Sequence, residues 1–421
     1  MNDLSLHEPL PAQQWLTSPY YPLMQQLVEQ VIARQPLRHV LMLETEAKQH
    51  FSCSGCAECC QRPWAVDVSK DYLEKWEAIF DQDPSGYYSK PFYLTPERSH
   101  YAEIRKKHGT HECLFLEDDR RCMIQRRYGH EALPTTCQQF PRYENWFGSY
   151  MGRFMVSSCP DVNSLIQTYP RMAYRVAIIE DKAWDALQRM QHPLGTENGL
   201  LWLGWQLDLI TRPGAWTPIE RLRFLQQQLL RLDPRRLSQL LPQTFDLFEQ
   251  TLQEALIRSA CPPSAGREAQ ALQWLIHFTR RYSAIQKFLE QLRYAHRQLP
   301  RFSAEEQQRL NQFLGHYLFY RICSLQVFRQ PEGTPVFFQS YFILSVHVAL
   351  WQFLVLYYRQ RDGGPLQDVH MTRAANLVGY RFEHDRGFAL RHEMYSMAPG
   401  HCLEGMATLL SFDLGQSDKT A

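Results

Sequence analysis

The sequence predicts a mainly α protein: a small cysteine-rich metal-binding module with short strands, followed by an α-helical domain. Three observations lead there. Eight of the eleven cysteines fall between Cys53 and Cys159. Beyond Asp161, helix-start signals and apolar residues at helical spacing recur almost to the end. No strand–helix alternation of the kind that builds a parallel sheet is visible. Three segments follow: residues 1–50, an N-terminal helical lead; 51–161, the cysteine-cluster module; and 162–415, the α-helical domain.

The lead is punctuated by Pro9, Pro11, Pro19 and Pro22, then reads as a helix from about Leu23 to Arg34. In the module, the alternation from Trp64 to Val68 predicts a short strand. Ser69 is placed to cap a helix running toward Phe80, and Thr95-Pro96 to start one toward Lys107. Cys113-Leu-Phe-Leu-Glu-Asp-Asp-Arg-Arg-Cys122 reads as a hairpin that brings its two cysteines together.

In the helical domain, Thr217-Pro218-Ile219-Glu220 is a capping box with Pro at the first helical position. Ile219, Leu222, Leu225, Leu229 and Leu232 follow at nearly helical period. Asp233-Pro234 reads as the cap of the next helix, and Ser303 with Glu306 as a second capping box. Cys261-Pro262-Pro263-Ser264-Ala265-Gly266 and Asp362-Gly363-Gly364-Pro365 are loops. Phe342 to Tyr358 is almost wholly apolar, but sits at the short limit of a membrane span and carries His347 and Gln352; the expectation is a buried core helix.

Composition narrows the class. Hydrophobic residues make up 44% of the chain and net charge is +1, so it is globular and no long-range field draws in nucleic acid or anionic membrane. The N-terminus lacks a basic segment followed by an apolar one, so no signal peptide is expected and the cytoplasm is the default location. In a reducing compartment, cysteines persist as thiols free to hold metal.

Cys53, Cys56, Cys59 and Cys60 lie within eight residues, joined in the module by Cys113, Cys122, Cys137 and Cys159. Thiolates at this density suit zinc or an iron–sulfur cluster. Eight exceed what one four-ligand site uses. Adjacent Cys59 and Cys60 point apart in extended backbone, which favours two centres or one centre with an odd thiol. Gly55 suits a tight turn that aims backbone N–H groups at sulfur. His50, His111 and His130 are nearby but stand singly, as surface residues do. Arg120, Arg121, Arg126 and Arg127 form a basic cluster beside Cys122, best read as a solvated turn paired with Glu117, Asp118 and Asp119. Cys261, Cys323 and Cys402 stand alone and read as small buried hydrophobes.

The run Cys53-Ser-Gly-Cys56-Ala-Glu-Cys59-Cys60, followed by Cys113-Leu-Phe-Leu, Cys122-Met-Ile, Tyr128-Gly129, Thr136-Cys137, Phe140-Pro141-Arg142 and Ser157-Ser158-Cys159-Pro160, resembles the zinc- or iron-chelating cysteine-cluster domain family. Within it the motifs resemble those of the flagellin lysine-N-methylases. The motifs cover roughly residues 51–161. The resemblance implies that all eight cysteines are metal ligands, and that an iron–sulfur cluster, [4Fe–4S] before zinc, takes part in methyl transfer. The donor would be S-adenosylmethionine and the acceptor a protein lysine ε-amine.

The residues add constraints. No G-x-G-x-x-G follows a strand, so a Rossmann-type nucleotide site is not visible. The Cys-x3-Cys-x2-Cys spacing of ordinary radical S-adenosylmethionine enzymes is also missing. The cofactor would then be anchored at the cysteine module, on an open iron. An ammonium has no lone pair, so a lysine must lose its proton before it attacks a methyl group; Asp67, Tyr128 and Tyr143 are candidate bases. Two alternatives remain in view: a non-enzymatic iron–sulfur or zinc protein for electron transfer or redox sensing, and a structural zinc module presenting a helical interaction domain.

Overall fold

The computed structural model describes residues 20–27, 39–95, 101–147, 150–169, 173–180, 196–234, 236–239, 241, 243–257, 267–279, 286–291, 302–323, 337–383, 397–411 and 413. Most of them are helical. Helix α1 (Tyr21–Leu27) opens the lead, and α2 (Lys70–Asp81), α3 (Met123–Tyr128), α4 (Thr135–Gln139) and α5 (Pro160–Thr168) belong to the module. The body contains α6 (Thr196–Thr211), α7 (Pro218–Leu229), α8 (Gln243–Ile257), α9 (Glu268–Phe278) and the helices Ala304–Cys323, Phe337–Asp362, Asp368–Glu383 and Pro399–Leu409.

Two sheets frame the module. A three-stranded antiparallel sheet has the order β2 (Asp67–Val68), β4 (Ala102–Ile104), β3 (Phe92–Leu94). A four-stranded mixed sheet has the order β5 (Arg142–Phe147), β6 (Tyr150–Met155), β1 (His39–Thr45), β7 (Tyr174–Glu180). Strand β1 pairs in parallel with β6, Leu43 opposite Gly152, and antiparallel with β7, Leu43 opposite Val176. The larger sheet therefore draws strands from the lead, from the module and from the segment beyond it.

The local helix signals hold. Ser69 caps α2 by accepting the Tyr72 N–H at 3.2 Å. Both halves of the Thr217–Glu220 capping box form. Ser303 N–H donates to Glu306 at 2.8 Å and Glu306 N–H donates back to the Ser303 hydroxyl at 3.2 Å. Gly363 and Gly364 take positive φ of 72° and 81°, a turn that only glycine adopts freely.

Other expectations need correction. Where a helix was expected toward Lys107, Ala102–Ile104 is the central strand of the small sheet. Ala102 and Ile104 are fully buried there and pair with neighbours on both sides, and this cross-strand burial outweighs the Thr-Pro start signal. The strand predicted from Trp64 shortens to Asp67–Val68. Asp233-Pro234 opens no long helix; a single 3-10 turn at Leu237–Gln239 precedes α8. The first helix covers Tyr21–Leu27, and the rest of its expected span lies outside the described residues, as does Cys261.

Two apolar cores result. The large one spans the body and reaches Phe154, Met155 and Cys159. The Phe337–Asp362 helix runs through it. Among the described residues this helix alone is long and apolar enough to cross a membrane, and 89% of its most apolar window is buried inside the protein, as a core helix requires. The small core packs Val66, Val68, Leu73, Phe80, Phe92, Ile104 and Phe115 beneath the cysteines. Gly379, on the Asp368–Glu383 helix, lies against Ser157 and Ser158, just before Cys159.

Candidate metal centre

The cysteine loop folds by local backbone geometry. Gly55 and Ala57 both take left-handed φ, 73° and 60°, and curl the chain into a 3-10 turn at Glu58–Gln61. That turn corrects the expected divergence of Cys59 and Cys60. The backbone is helical there rather than extended, and the two sulfurs lie 3.9 Å apart. The Cys60 carbonyl accepts the Cys113 N–H at 2.7 Å. Lys106 bridges to Cys113 and Leu116 to Cys122, and the Glu117 N–H closes the loop on the Arg121 carbonyl at 2.9 Å, so the predicted hairpin forms. Cys122 is the residue before α3, Cys137 lies in α4 and Cys159 directly precedes α5.

The eight thiols form two adjoining neighbourhoods, linked where Cys59 acts on Cys56. Cys59, Cys60, Cys113, Cys122 and Cys137 act on one another electrostatically inside the small core. Cys53, Cys56 and Cys159 gather around Asp161. The second gathering follows from topology. Because β1 and β6 run parallel, the chain leaves both at the same edge of the sheet, and the segments holding Cys53 and Cys159 emerge side by side. Asp161 then accepts the Ser54 N–H and the Ser54 hydroxyl, each at 2.8 Å.

The Gly55 N–H points at the Cys53 sulfur at 3.4 Å. The backbone N–H groups of Glu58, Phe115, Ile124 with Gln125, and Asp161 with Val162 act electrostatically in favour of the Cys56, Cys113, Cys122 and Cys159 thiolates. A neutral thiol is a weak acceptor, whereas N–H groups turned onto sulfur favour the thiolate.

Burial opposes ionisation. It pushes the Cys113 thiol up to about 11 and the Cys159 thiol up to about 12, and raises Cys56, Cys122 and Cys137 as well. Between Cys59 and Cys60, the shared hydrogen bond favours the Cys59 thiolate and holds the Cys60 proton. Tyr72 closes the floor of the larger group, donating to the Ala132 carbonyl at 2.6 Å, and burial beside the thiols raises its hydroxyl pKa. A bound cation would reverse the thiol shifts.

In these positions no three His, Cys, Asp or Glu side chains among the described residues converge closely enough to hold a metal ion. The donor chemistry nevertheless fits a thiophilic metal: every described cysteine is a free thiol, and the Gly55 N–H is aimed at the Cys53 sulfur.

The remaining candidates take structural places. His50 stacks on Tyr169 with ring centres 4.9 Å apart, and His111 and His130 are exposed. Arg126 pairs with Glu117 and with Asp119, and Arg127 with Asp83, so the basic cluster is largely a paired turn. Arg120 instead donates to the Cys56 carbonyl at 2.8 Å and braces the loop. Tyr128 packs edge-on against Trp76 and Phe80. Asp67 sits in β2, and its carbonyl accepts the Thr136 hydroxyl at 3.4 Å. The Tyr143 and Cys323 side chains lie outside the described residues. Cys402 is buried in the large core as expected.

Sequence reading missed Asp161 and the residues at the seam with the body. Arg62 lies 4.3 Å over the Tyr380 ring and reaches Asn376 at 3.3 Å. Trp64 packs between Phe140 and Tyr380. Only the unusual Arg-Pro-Trp following the cysteine tetrad could have flagged them.

The fold and site thus define a mainly α protein carrying a cysteine-rich module. The chain is 28% identical over 137 residues to the flagellar biosynthetic protein FliU of Salmonella muenchen, a stretch covering 32% of this chain and 81% of that protein. It is equally similar to the lysine-N-methylases of Salmonella choleraesuis and Salmonella typhimurium, where the match spans 34% of each, about a third of their length. No family model matches the chain, and no solved structure does.

Proposed function

We propose that this chain is a metal-dependent protein-lysine N-methylase whose cysteine module holds an iron–sulfur cluster. The observation that carries the metal is the gathering of eight free thiols in one module, Cys59 and Cys60 with their sulfurs 3.9 Å apart and Cys53 accepting the Gly55 N–H. An N–H donor of that kind tunes a thiolate bound to metal. The methylase half of the reading is supported by the names of the two lysine-N-methylases.

All eight module cysteines are the proposed ligands, in the two neighbourhoods that the fold creates. The cluster would supply an electron-rich, thiolate-ligated anchor for S-adenosylmethionine. The chain would bind the lysine in a water-poor setting beside the module, so that its neutral amine attacks the sulfonium methyl. The N–C bond forms as the S–C bond breaks, S-adenosylhomocysteine leaves, and the amine proton passes to solvent or a base. The protein is placed in the cytoplasm, where its thiols remain reduced.

The test is iron, zinc and acid-labile sulfide content of anaerobically purified protein, followed by methyl transfer from labelled S-adenosylmethionine to lysine-bearing protein. Iron and sulfide in near-equal amounts with methyl transfer support the reading. Zinc alone in a colourless protein would make the module a structural clamp and remove the cluster.

A further inference from the structure

Between α7 and α8 the body surface opens into a hollow of about 420 Å³. That is room enough for the anchor side chains of a bound peptide. Its floor is apolar, with Leu232 5% exposed and Phe248 1%. Its rim is apolar too, but open: Leu241 is 66% exposed and Leu247 55%, and Leu230, 58% exposed, adjoins them beside Arg231. The core does not account for these three. In α8 the buried stripe runs through Phe245, Phe248 and Leu252, and in α7 through Leu222, Leu225 and Leu229. Leu247 and Leu230 stand off those stripes, where a surface helix normally carries polar residues. A single exposed leucine needs no explanation, but a group of them around one hollow marks a contact surface.

Charge narrows the occupant. Arg231 and Arg236 line the same hollow. Arg231 is exposed, and its guanidinium meets no carboxylate among the described residues. Arg236 lies 3.8 Å from Asp233 and stays 75% exposed, a weak surface pairing. Two guanidiniums against one carboxylate leave a positive rim over an apolar floor. We propose that this hollow docks an acidic peptide segment with bulky apolar side chains, presented by a partner protein. The apolar side chains fill the floor and the carboxylates meet Arg231 and Arg236. A small molecule held inside the hollow would leave the rim leucines in water. A flat bilayer would reach the rim but not Phe248. A second copy of this chain, facing the first across a two-fold axis, would set positive rim against positive rim. None of the lining residues belongs to the cysteine module, so docking here is independent of the chemistry at the thiols.

The test is fluorescence anisotropy of a labelled synthetic peptide of about fourteen residues, with leucine at every third or fourth position and glutamate between, titrated with the full chain. The peptide should bind, more weakly as salt is raised. Its counterpart with lysine in place of glutamate should bind at least about tenfold less tightly. Leu241→Asp and Arg231→Glu should each weaken binding of the acidic peptide by about tenfold or more. Both positions are exposed, so either variant serves if the other does not fold. No binding of the acidic peptide, equal binding of the two peptides, or wild-type affinity in both variants would overturn the proposal. Binding to anionic phospholipid vesicles without binding to the peptide would overturn it in favour of a membrane. A dimer that Leu241→Asp dissolves would overturn it in favour of a second copy.

Discussion

Gly379 leaves no room for a side chain beside Ser157: a Cβ there would lie 2.6 Å from the Ser157 hydroxyl, 2.7 Å from its carbonyl carbon and 2.7 Å from the Ser158 nitrogen. Two of these atoms are backbone, in the segment that leads directly to Cys159, so no side-chain rotation relieves the contact. Gly379→Ala should therefore destabilise the protein by about 1–3 kcal/mol, the usual cost of overpacking. Thermal melting reads the loss. A melting temperature at or above wild type would show that the helix and the module can separate freely.

Glu306 ties three segments together and should make stability pH-dependent. Its carboxylate accepts Ser303 N–H and Leu366 N–H and pairs with Arg359 at 3.2 Å. Burial opposes the charge, but these partners together hold the carboxyl below its usual range. A depressed folded pKa stabilises the fold above the unfolded value, and that stability is lost as pH falls through the folded one. Glu306→Gln should cost on the order of 2 kcal/mol at neutral pH. The gap between wild type and variant should narrow as pH falls below about 4, measured by denaturant unfolding at each pH. A constant gap would mean the charge contributes nothing.

The left-handed turn at Ala57 supports a third expectation. Ala57 is buried at φ 60°, where a β-branched residue is strongly disfavoured. Ala57→Val should lower both melting temperature and bound metal, while Ala57→Gly should hold its metal. Equal metal content in Val and wild-type proteins would show that the curl of this loop does not set the ligand positions.

The two thiol neighbourhoods predict separable losses. Cys137→Ser should remove the metal held inside the small core and leave that held around Cys53, Cys56 and Cys159. Cys159→Ser should do the reverse. Elemental analysis of each variant decides, and complete loss from either single change would point to one shared centre.

What the sequence disclosed depended on distance along the chain. The capping boxes at Thr217 and Ser303 are four-residue signals, and both stand where they were read. The hairpin between Cys113 and Cys122 is likewise a local matter of turn residues. The turn that brings Cys59 beside Cys60 was hidden, because adjacency suggests divergence only in extended backbone. The larger sheet was hidden too: β1 and β6 are partners more than a hundred residues apart, and neither carries a clean alternating pattern. Arg62 and Asn376, separated by 314 positions, meet only through packing of the body on the module.

The parallel pairing of β1 and β6 bears on the order of assembly. Ser54 and Asp161 are 107 positions apart in the chain. Closing a flexible loop of that length costs about 4 kcal/mol of chain entropy, a cost that a metal gathering thiols from an unfolded chain would have to meet itself. Once the sheet has formed, Cys53 and Cys159 are already delivered to one edge, and only short local rearrangements remain. A module loaded with metal would then be filled most quickly from the folded apoprotein, and stopped-flow uptake into folded against unfolded chain would read the difference.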